Sequence, residues 1–273
     1  MILSHKYKFI FIKTRKTAGS SIQIYLSRLC GEDDIVSPID KPEQEYRPRN
    51  FRGLFNPLPE LAEKSTARQY MRTLWRFATL KKFQSHIKAR EVRDRIPREI
   101  WDSYYKFTVD RNPWDKVLSH YHFVRQRYAR YDNNISFEEY LKVAELPYNY
   151  TKYTDRDGKL MVDRVIRYER LNEELAEVFG MLGVPFSGSL GATEKSHYRT
   201  DRRPYREVYT PGWKKPSKPS SAPKSTSSAT TSSGGPRTLE VEACERSVLS
   251  LSFPNAFIGN PVFAFSFHIH QSR

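Results

Sequence analysis

Apolar positions along the chain follow two habits: short unbroken runs, and runs spaced by threes and fours. The first unbroken run, Tyr7-Lys8-Phe9-Ile10-Phe11-Ile12, predicts a strand. A polar segment from Lys13 to Ser21 follows. Then Ile22, Tyr25, Leu26 and Leu29 fall at i, i+3, i+4 and i+7, one face of a helix with Gly31 placed as its C-terminal cap. The pattern returns at Tyr105-Lys106-Phe107-Thr108-Val109. This run turns at Asp110-Arg111-Asn112 and enters a helix with Pro113 at its first position and Trp114, Val117, Leu118 and Tyr121 on one face. A third strand is predicted over Met161–Ile166, followed by a helix carrying Leu171, Leu175, Val178, Phe179 and Leu182. Continuous apolar strands alternating with helices predict an α/β fold with a mostly parallel central sheet flanked by helices. Ligands of such sheets sit beyond the C-terminal strand ends, where the first two loops lie.

Composition narrows the possibilities. A chain of 273 residues with 38% hydrophobic and 14% aromatic content can pack a core, which excludes wholesale disorder. A mean hydropathy of -0.70 and the lack of any apolar run near about twenty residues argue against a membrane span. The opening Met1-Ile2-Leu3-Ser4-His5-Lys6 lacks the apolar stretch of a signal peptide. Two cysteines, Cys30 and Cys244, cannot build a disulfide framework or a four-cysteine zinc site, so a reducing, cytoplasmic compartment is the expectation. From Gly212 to Gly235 the texture changes to Lys, Pro, Ser, Thr and Ala with little to bury. The expected division is a working domain over residues 1–211, a low-complexity segment over 212–237 and a tail over 238–273. With 46 Lys and Arg against 31 Asp and Glu, the net charge of +15 asks for an anionic partner: nucleic acid, an anionic membrane or a phosphate-bearing small molecule.

The loop Thr14-Arg15-Lys16-Thr17-Ala18-Gly19-Ser20-Ser21 has the chemistry of an anion site. Small residues and a glycine let backbone N–H groups approach closely, hydroxyls add donors, and the following helix presents its positive end. Lys16 adds a mobile charge. The order differs from that of the nucleotide-triphosphatase loop, because Lys16 precedes Gly19 instead of following it. A polar turn capped by Ser20 accounts for the hydroxyls equally well. In the second loop Arg111 ends a strand and Ser119 lies two helical turns on; a guanidinium bonds phosphate bidentately and a hydroxyl can complete the shell. A surface arginine before a Pro-started helix is the plainer reading. Together the two loops suit a ligand with two separated anionic groups.

Lys16-Thr17-Ala18-Gly19-Ser20-Ser21 and Arg111-Asn112-Pro113-Trp114-Asp115-Lys116-Val117-Leu118-Ser119 resemble the two cofactor signatures of sulfotransferases that use 3′-phosphoadenosine 5′-phosphosulfate (PAPS). The chain resembles most the bacterial members of the carbohydrate sulfotransferase group, from Lys6 to about Pro211, including Val162–Glu169 and Tyr205–Tyr209. The resemblance implies a P-loop-like sulfotransferase fold. It implies that Arg15, Lys16, Thr17, Ala18, Gly19, Ser20 and Ser21 grip the 5′-phosphosulfate, and that Arg111 and Ser119 hold the 3′-phosphate. It also implies in-line attack of an acceptor hydroxyl, from a saccharide, on sulfur, with Lys16 supplying charge at the bridging oxygen and no metal required. No metal-ligand cluster is visible in the sequence, and neither a nucleic acid nor a membrane span is expected.

The family places its base between the two loops, and His86 is the sole histidine there. Imidazole titrates near neutrality, as a general base should; a packed or capping histidine is the plainer reading. Glu60 and Glu91 are fallback bases, while His120 and His122 are read as structural. The basic run Lys195–Arg203 suits either a loop closing over the nucleotide or a solvated charge run. The stretch Arg47–Lys82 matches no chemical motif and is assigned by position to the acceptor site. Two readings compete with the sulfotransferase: a small-molecule kinase, which magnesium dependence would reveal, and a basic nucleic-acid-binding protein, which steep salt dependence would reveal. The tail has a further oddity. Gly212-Trp213-Lys214-Lys215 can be spelled GGA TGG AAA AAG, and one A restored in the first codon gives Glu-Met-Glu-Lys. The same frame then allows an amphipathic helix and a Phe-Gly-Tyr ending of the family type, so a one-base frameshift near Gly212 is expected.

Overall fold

In the computed structural model the described residues are 1–40, 45–127, 135–144, 146–191, 203 and 205–209. They fall in one unit spanning Met1–Thr210. The low-complexity segment, the tail with its expected frameshift, and all of Lys195–Arg203 except Arg203 lie outside the described residues.

A five-stranded sheet runs in the order β3 (Ile35–Val36), β1 (Ile2–Ser4), β2 (Phe9–Ile12), β4 (Tyr105–Asp110), β5 (Arg164–Arg167). β1 pairs antiparallel with β2 and β3, whereas β2, β4 and β5 pair in parallel, so four strands share one direction and β1 opposes them. The apolar run of β2 is unbroken because both sides of the sheet are covered. Phe9 and Phe11 enter a core with Ile22 and Leu26 of α1 (Gly19–Ser27) and Leu175, Val178 and Phe179 of α9 (Leu171–Leu182). Ile10 and Ile12 enter the opposite core. They meet Ala89 and Val92 of α4 (Ala89–Arg93), Trp101 of α5 (Arg98–Ser103) and Tyr150 and Tyr153 of α8 (Tyr150–Tyr153). The mostly parallel, helix-flanked α/β sheet is therefore as predicted.

Boundaries depart from the sequence reading for local reasons. The strand predicted from Tyr7 begins at Phe9, because Lys8 has φ 51° in the turn that reverses β1 into β2. β1 and β3 are too short to show a period. α1 stops at Ser27 with Arg28 as its C-cap, so Gly31 is not the cap; its N–H donates to the Asp34 carboxylate at 2.8 Å. The third strand begins at Arg164, since Asp163 turns its carboxylate onto the backbone N–H of Lys106 at 2.7 Å. The stretch without a motif forms α2 (Leu58–Leu61) and α3 (Ala67–Ala78).

The C-terminal end of β4 is tied down by one buried carboxylate. Asp110 accepts from the Lys116 ammonium at 2.8 Å, the Arg111 N–H at 2.8 Å, the Asn149 amide at 2.9 Å and the Tyr153 hydroxyl at 2.8 Å. Asp110→Ala removes the carboxylate facing the buried Lys116 ammonium, and about 3–5 kcal/mol of stability is expected to go with it. Urea unfolding measures this, and a midpoint near the wild-type value would show that Asp110 is not the anchor.

Candidate active site

The first loop leaves β2 at Lys13 and enters α1 at Gly19. Lys16 (φ 62°) and Ala18 (φ 54°) both occupy the left-handed region, at about 1–2 kcal/mol each for residues with a Cβ. This folds the backbone into a concave run of N–H groups, a geometry suited to anions. α1 begins without a side-chain cap, so the N–H groups of its first turn extend the concavity. Ser20 therefore does not cap the helix; its hydroxyl receives a hydrogen bond from Lys13 Nζ at 3.1 Å. Gly19 is required for space: a Cβ there would lie 2.8 Å from Lys13 Cγ and 3.3 Å from the Thr14 carbonyl oxygen. The buried Thr14 and Thr17 hydroxyls bond each other at 2.8 Å, and Thr14 also bonds the Val109 carbonyl, locking the loop to β4. Thr17 thus faces inward and offers its backbone, not its hydroxyl. Ser21 is buried in the first turn of α1. Arg15 is exposed, while its N–H and carbonyl are clamped by the Asn149 side chain at 2.9 and 3.0 Å.

The second loop meets the first. Arg111 Nη1 lies 3.5 Å from the Lys16 carbonyl, Nε donates to Asp115 at 2.7 Å, and the guanidinium sits 4.2 Å from the Tyr168 ring centroid. Asp115, Ser119 and Phe123 follow one another at i, i+4 along α6 (Pro113–Arg127), hence on one face. The first holds Arg111, and the Phe123 ring lies 4.5 Å from Lys16 Nζ. Ser119, half-buried between them, shares the face turned toward both loops. Arg111 and the Lys16 backbone are thus brought together, and Ser119 lies on the α6 face between Asp115 and Phe123.

His86 stands beside the first loop. Its Nδ1 lies 3.3 Å from the Lys13 carbonyl, which can only accept, so Nδ1 carries the proton and Nε2 the lone pair. Burial, then the Lys13 charge, push its pKa down to about 2, so the ring is neutral. Lys152 donates to the His86 carbonyl at 2.8 Å, and its own pKa falls to about 8 through burial and the nearby Arg15. His120, bonded through Nδ1 to the Tyr140 hydroxyl at 2.5 Å, is lowered to about 4 by burial and then by Lys16 and Arg15. The fallback carboxylates lie elsewhere. Glu60 is buried against Arg95, with Nε donating at 2.6 Å, and burial raises its pKa. Burial alone would raise Glu91, but Arg95, Arg76 and Lys64 outweigh it and keep the carboxyl below its ordinary value.

A polar cleft of about 390 Å³ adjoins this region, lined by Lys64, Arg72, Lys88, Arg90 and Arg156 against only Glu63 and Glu91. Lys88 is two residues from His86, and Lys152 lies within electrostatic reach of Arg15, Glu91 and Lys88. Lys13, Asn149, Lys152 and Phe123 join the site without having been singled out from the sequence. Lys13 was legible as a cation at a strand end, but Asn149 and Lys152 arrive from more than a hundred residues away with no local signal.

The family model described as Sulfotransferase family matches residues 1–210, and the chain belongs to that family. It is also similar to an uncharacterized protein of Archaeoglobus fulgidus, 37% identical over 100 residues, which covers 34% of this chain and 80% of that protein. A structural comparison with the crystal structure of a sulfotransferase from Alicyclobacillus acidocaldarius covers 74% of this chain and 88% of that one, at 20% identity and a TM-score of 0.33. Membership sets the kinase reading aside. Among the described residues no group of three or more His, Cys, Asp or Glu is arranged to hold a metal ion, and no helix is long and apolar enough to cross a membrane.

Gly19→Ala is expected to disturb the loop by about 1–3 kcal/mol, since the backbone of Thr14 cannot yield as the Lys13 side chain can; an unchanged melting temperature would show the approach to be slack. The His86 environment carries a pH signature. The unfolded chain takes up this proton near the ordinary 6.5, the folded chain only near 2, so stability falls as pH drops below 6.5. Between pH 7 and about pH 5 the wild type should lose roughly 2 kcal/mol more than His86→Asn in urea unfolding. An identical pH dependence in both would show that His86 protonates freely in the fold.

Proposed function

We propose that the chain transfers the sulfuryl group of PAPS to a hydroxyl of a saccharide acceptor. The observation that carries this reading is the strand-end cradle. A strained left-handed loop, an uncapped helix N-terminus and Lys13 and Lys16 converge at one end of β2, and Arg111 reaches them from β4. The cradle fits a nucleotide with two separated anionic groups: a Cβ at Gly19 would crowd Lys13 and the Thr14 carbonyl oxygen, and Arg111, held by Asp115, brings a second cationic group from β4. In this reading the N–H groups of residues 16–21 and the Lys13 and Lys16 ammonium groups hold the 5′-phosphosulfate. Arg111, oriented by Asp115, and Ser119 hold the 3′-phosphate.

The bound donor supplies the sulfuryl group; the protein supplies position and charge. His86 Nε2 takes the proton of the acceptor hydroxyl as its oxygen bonds sulfur. Lys16 stabilises the negative charge that collects on the bridging oxygen as the sulfur–oxygen bond breaks and adenosine 3′,5′-bisphosphate leaves. The low proton affinity of His86 fits this order. Burial depresses it first and Lys13 second, and an anion seated beside Lys13 offsets the second of these and raises His86. The neighbouring cleft, polar and open, fits a polyhydroxyl acceptor, and its excess of cations favours one that carries a carboxylate or ester sulfate.

Calorimetric titration with adenosine 3′,5′-bisphosphate tests the donor site. Saturable binding is expected, weakened at least about tenfold in Arg111→Ala, in line with the loss of a charge-assisted pair. His86→Ala should bind the nucleotide normally and lose turnover with a labelled donor, a split that separates base from binder. No binding by folded protein removes the PAPS reading; unchanged turnover removes His86 from the mechanism.

A further inference from the structure

Exposed apolar surface is concentrated in one place. Of the ten large apolar side chains exposed among the described residues, eight lie between Leu54 and Leu80. Six belong to α3 or its immediate end: Tyr70, Met71, Leu74, Trp75, Phe77 and Leu80, with Met71 66% and Trp75 53% exposed. At 3.6 residues per turn the helical ones, with Ala78, fall within about 160° of the α3 surface. That is the width of a core-facing stripe, yet this stripe faces solvent. The opposite, polar arc meets the protein: Thr73 is buried, and Gln69 and Arg76 are half-buried. α3 is thus an amphipathic helix docked by its polar side.

The helix is well defined. Thr66 caps it, its hydroxyl accepting from the Gln69 N–H at 3.4 Å, and the Phe77 ring meets Phe55 edge-on with 5.8 Å between centroids. Leu54 and Leu58, 72% and 68% exposed, extend the apolar surface beyond it. A contiguous patch of this kind marks a surface that something covers. Charge identifies the occupant. Residues 64–82 contain six cations and no Asp or Glu; Lys64, Arg72 and Arg76 lie on the cleft side, while exposed Arg68 and half-buried Lys81 flank the apolar arc. A second copy would set like charges against like. The residues after Thr210 are themselves basic, with seven Lys and Arg against three Glu. Lys81 Nζ, 4.1 Å from the Trp75 ring centroid, places a cation at the rim of the apolar arc beside an aromatic of the type that anchors at lipid–water boundaries.

We propose that the outward face of α2 and α3 docks the protein on an anionic lipid surface, with Met71, Leu74 and Trp75 entering the headgroup boundary and the flanking Arg68 and Lys81 pairing with lipid phosphates. The proposal is independent of the sulfotransferase reading. A helix of this design lies in the interface plane, held by apolar burial and by attraction to anionic headgroups. The arrangement needs no spanning segment.

Co-sedimentation of the full chain with phosphatidylcholine vesicles, and with phosphatidylcholine–phosphatidylglycerol vesicles, tests it. Binding is expected to the anionic vesicles alone and should fall as salt rises. Leu74→Asp and Trp75→Asp change exposed positions, so circular dichroism and the urea midpoint should match wild type while vesicle binding weakens at least about tenfold. Equal binding to both vesicle types, binding unchanged in both variants, or no binding overturns the proposal. So does a dimer in sedimentation velocity that Leu74→Asp splits, which would assign the face to a second copy.

Discussion

The geometry of the site depends on one buried carboxylate at the end of β4. Asp110 neutralises Lys116, receives the backbone of Arg111 and holds Asn149, which in turn clamps both backbone groups of Arg15. Two loops from two strands are therefore indexed to a single side chain. A third connection, from Tyr153 in α8, fixes the helix that carries Lys152 toward His86. Burying a carboxylate is costly, and the cost is offset here because every oxygen is met by a donor. A cradle that keeps two non-glycine residues in the left-handed region needs such an anchor, since without it the loop would relax toward ordinary backbone angles.

Anchoring also sets the electrostatics. Lys13, Lys16, Arg15, Arg111 and Lys152 crowd one end of the sheet, and burial, seconded by a neighbouring charge, lowers the proton affinity of the groups among them. Lys152 is lowered to about 8 by burial and then Arg15, and His86 to about 2 by burial and then Lys13. Such a site stores unfavourable charge that an anionic ligand relieves, so occupancy and proton affinity are linked. In the proposed reaction that linkage would order proton transfer to His86 after donor binding.

Much of this was legible before any coordinates. The apolar run ending Phe9–Ile12 announced a strand, and Pro113 with the spacing of Trp114, Val117, Leu118 and Tyr121 announced the helix that follows β4. What was not legible rests on long-range pairing. β1 and β3 are three and two residues long and gain their meaning only from their neighbours. Asn149 and Lys152 sit in a stretch with no periodicity of its own. Gly31 looked like a cap by position, but Asp34 claimed its N–H. Glu60 was a plausible base by type, yet Arg95 had already taken it.

The orientation of α3 follows from the cleft it borders. Gln69 and Arg72 line that cleft together with Lys88 and Arg90, so the polar arc of the helix must face inward. A helix has two sides, and once the polar one is committed to a polar cleft the apolar one has no core to enter. Reversing α3 would bury Met71, Leu74 and Trp75 but would remove Gln69 and Arg72 from the cleft and bring apolar side chains to its wall. The polarity of the cleft thereby leaves the apolar face of α3 outward, with Lys81 at its rim. The polar cleft and the exposed apolar face are two consequences of one amphipathic sequence.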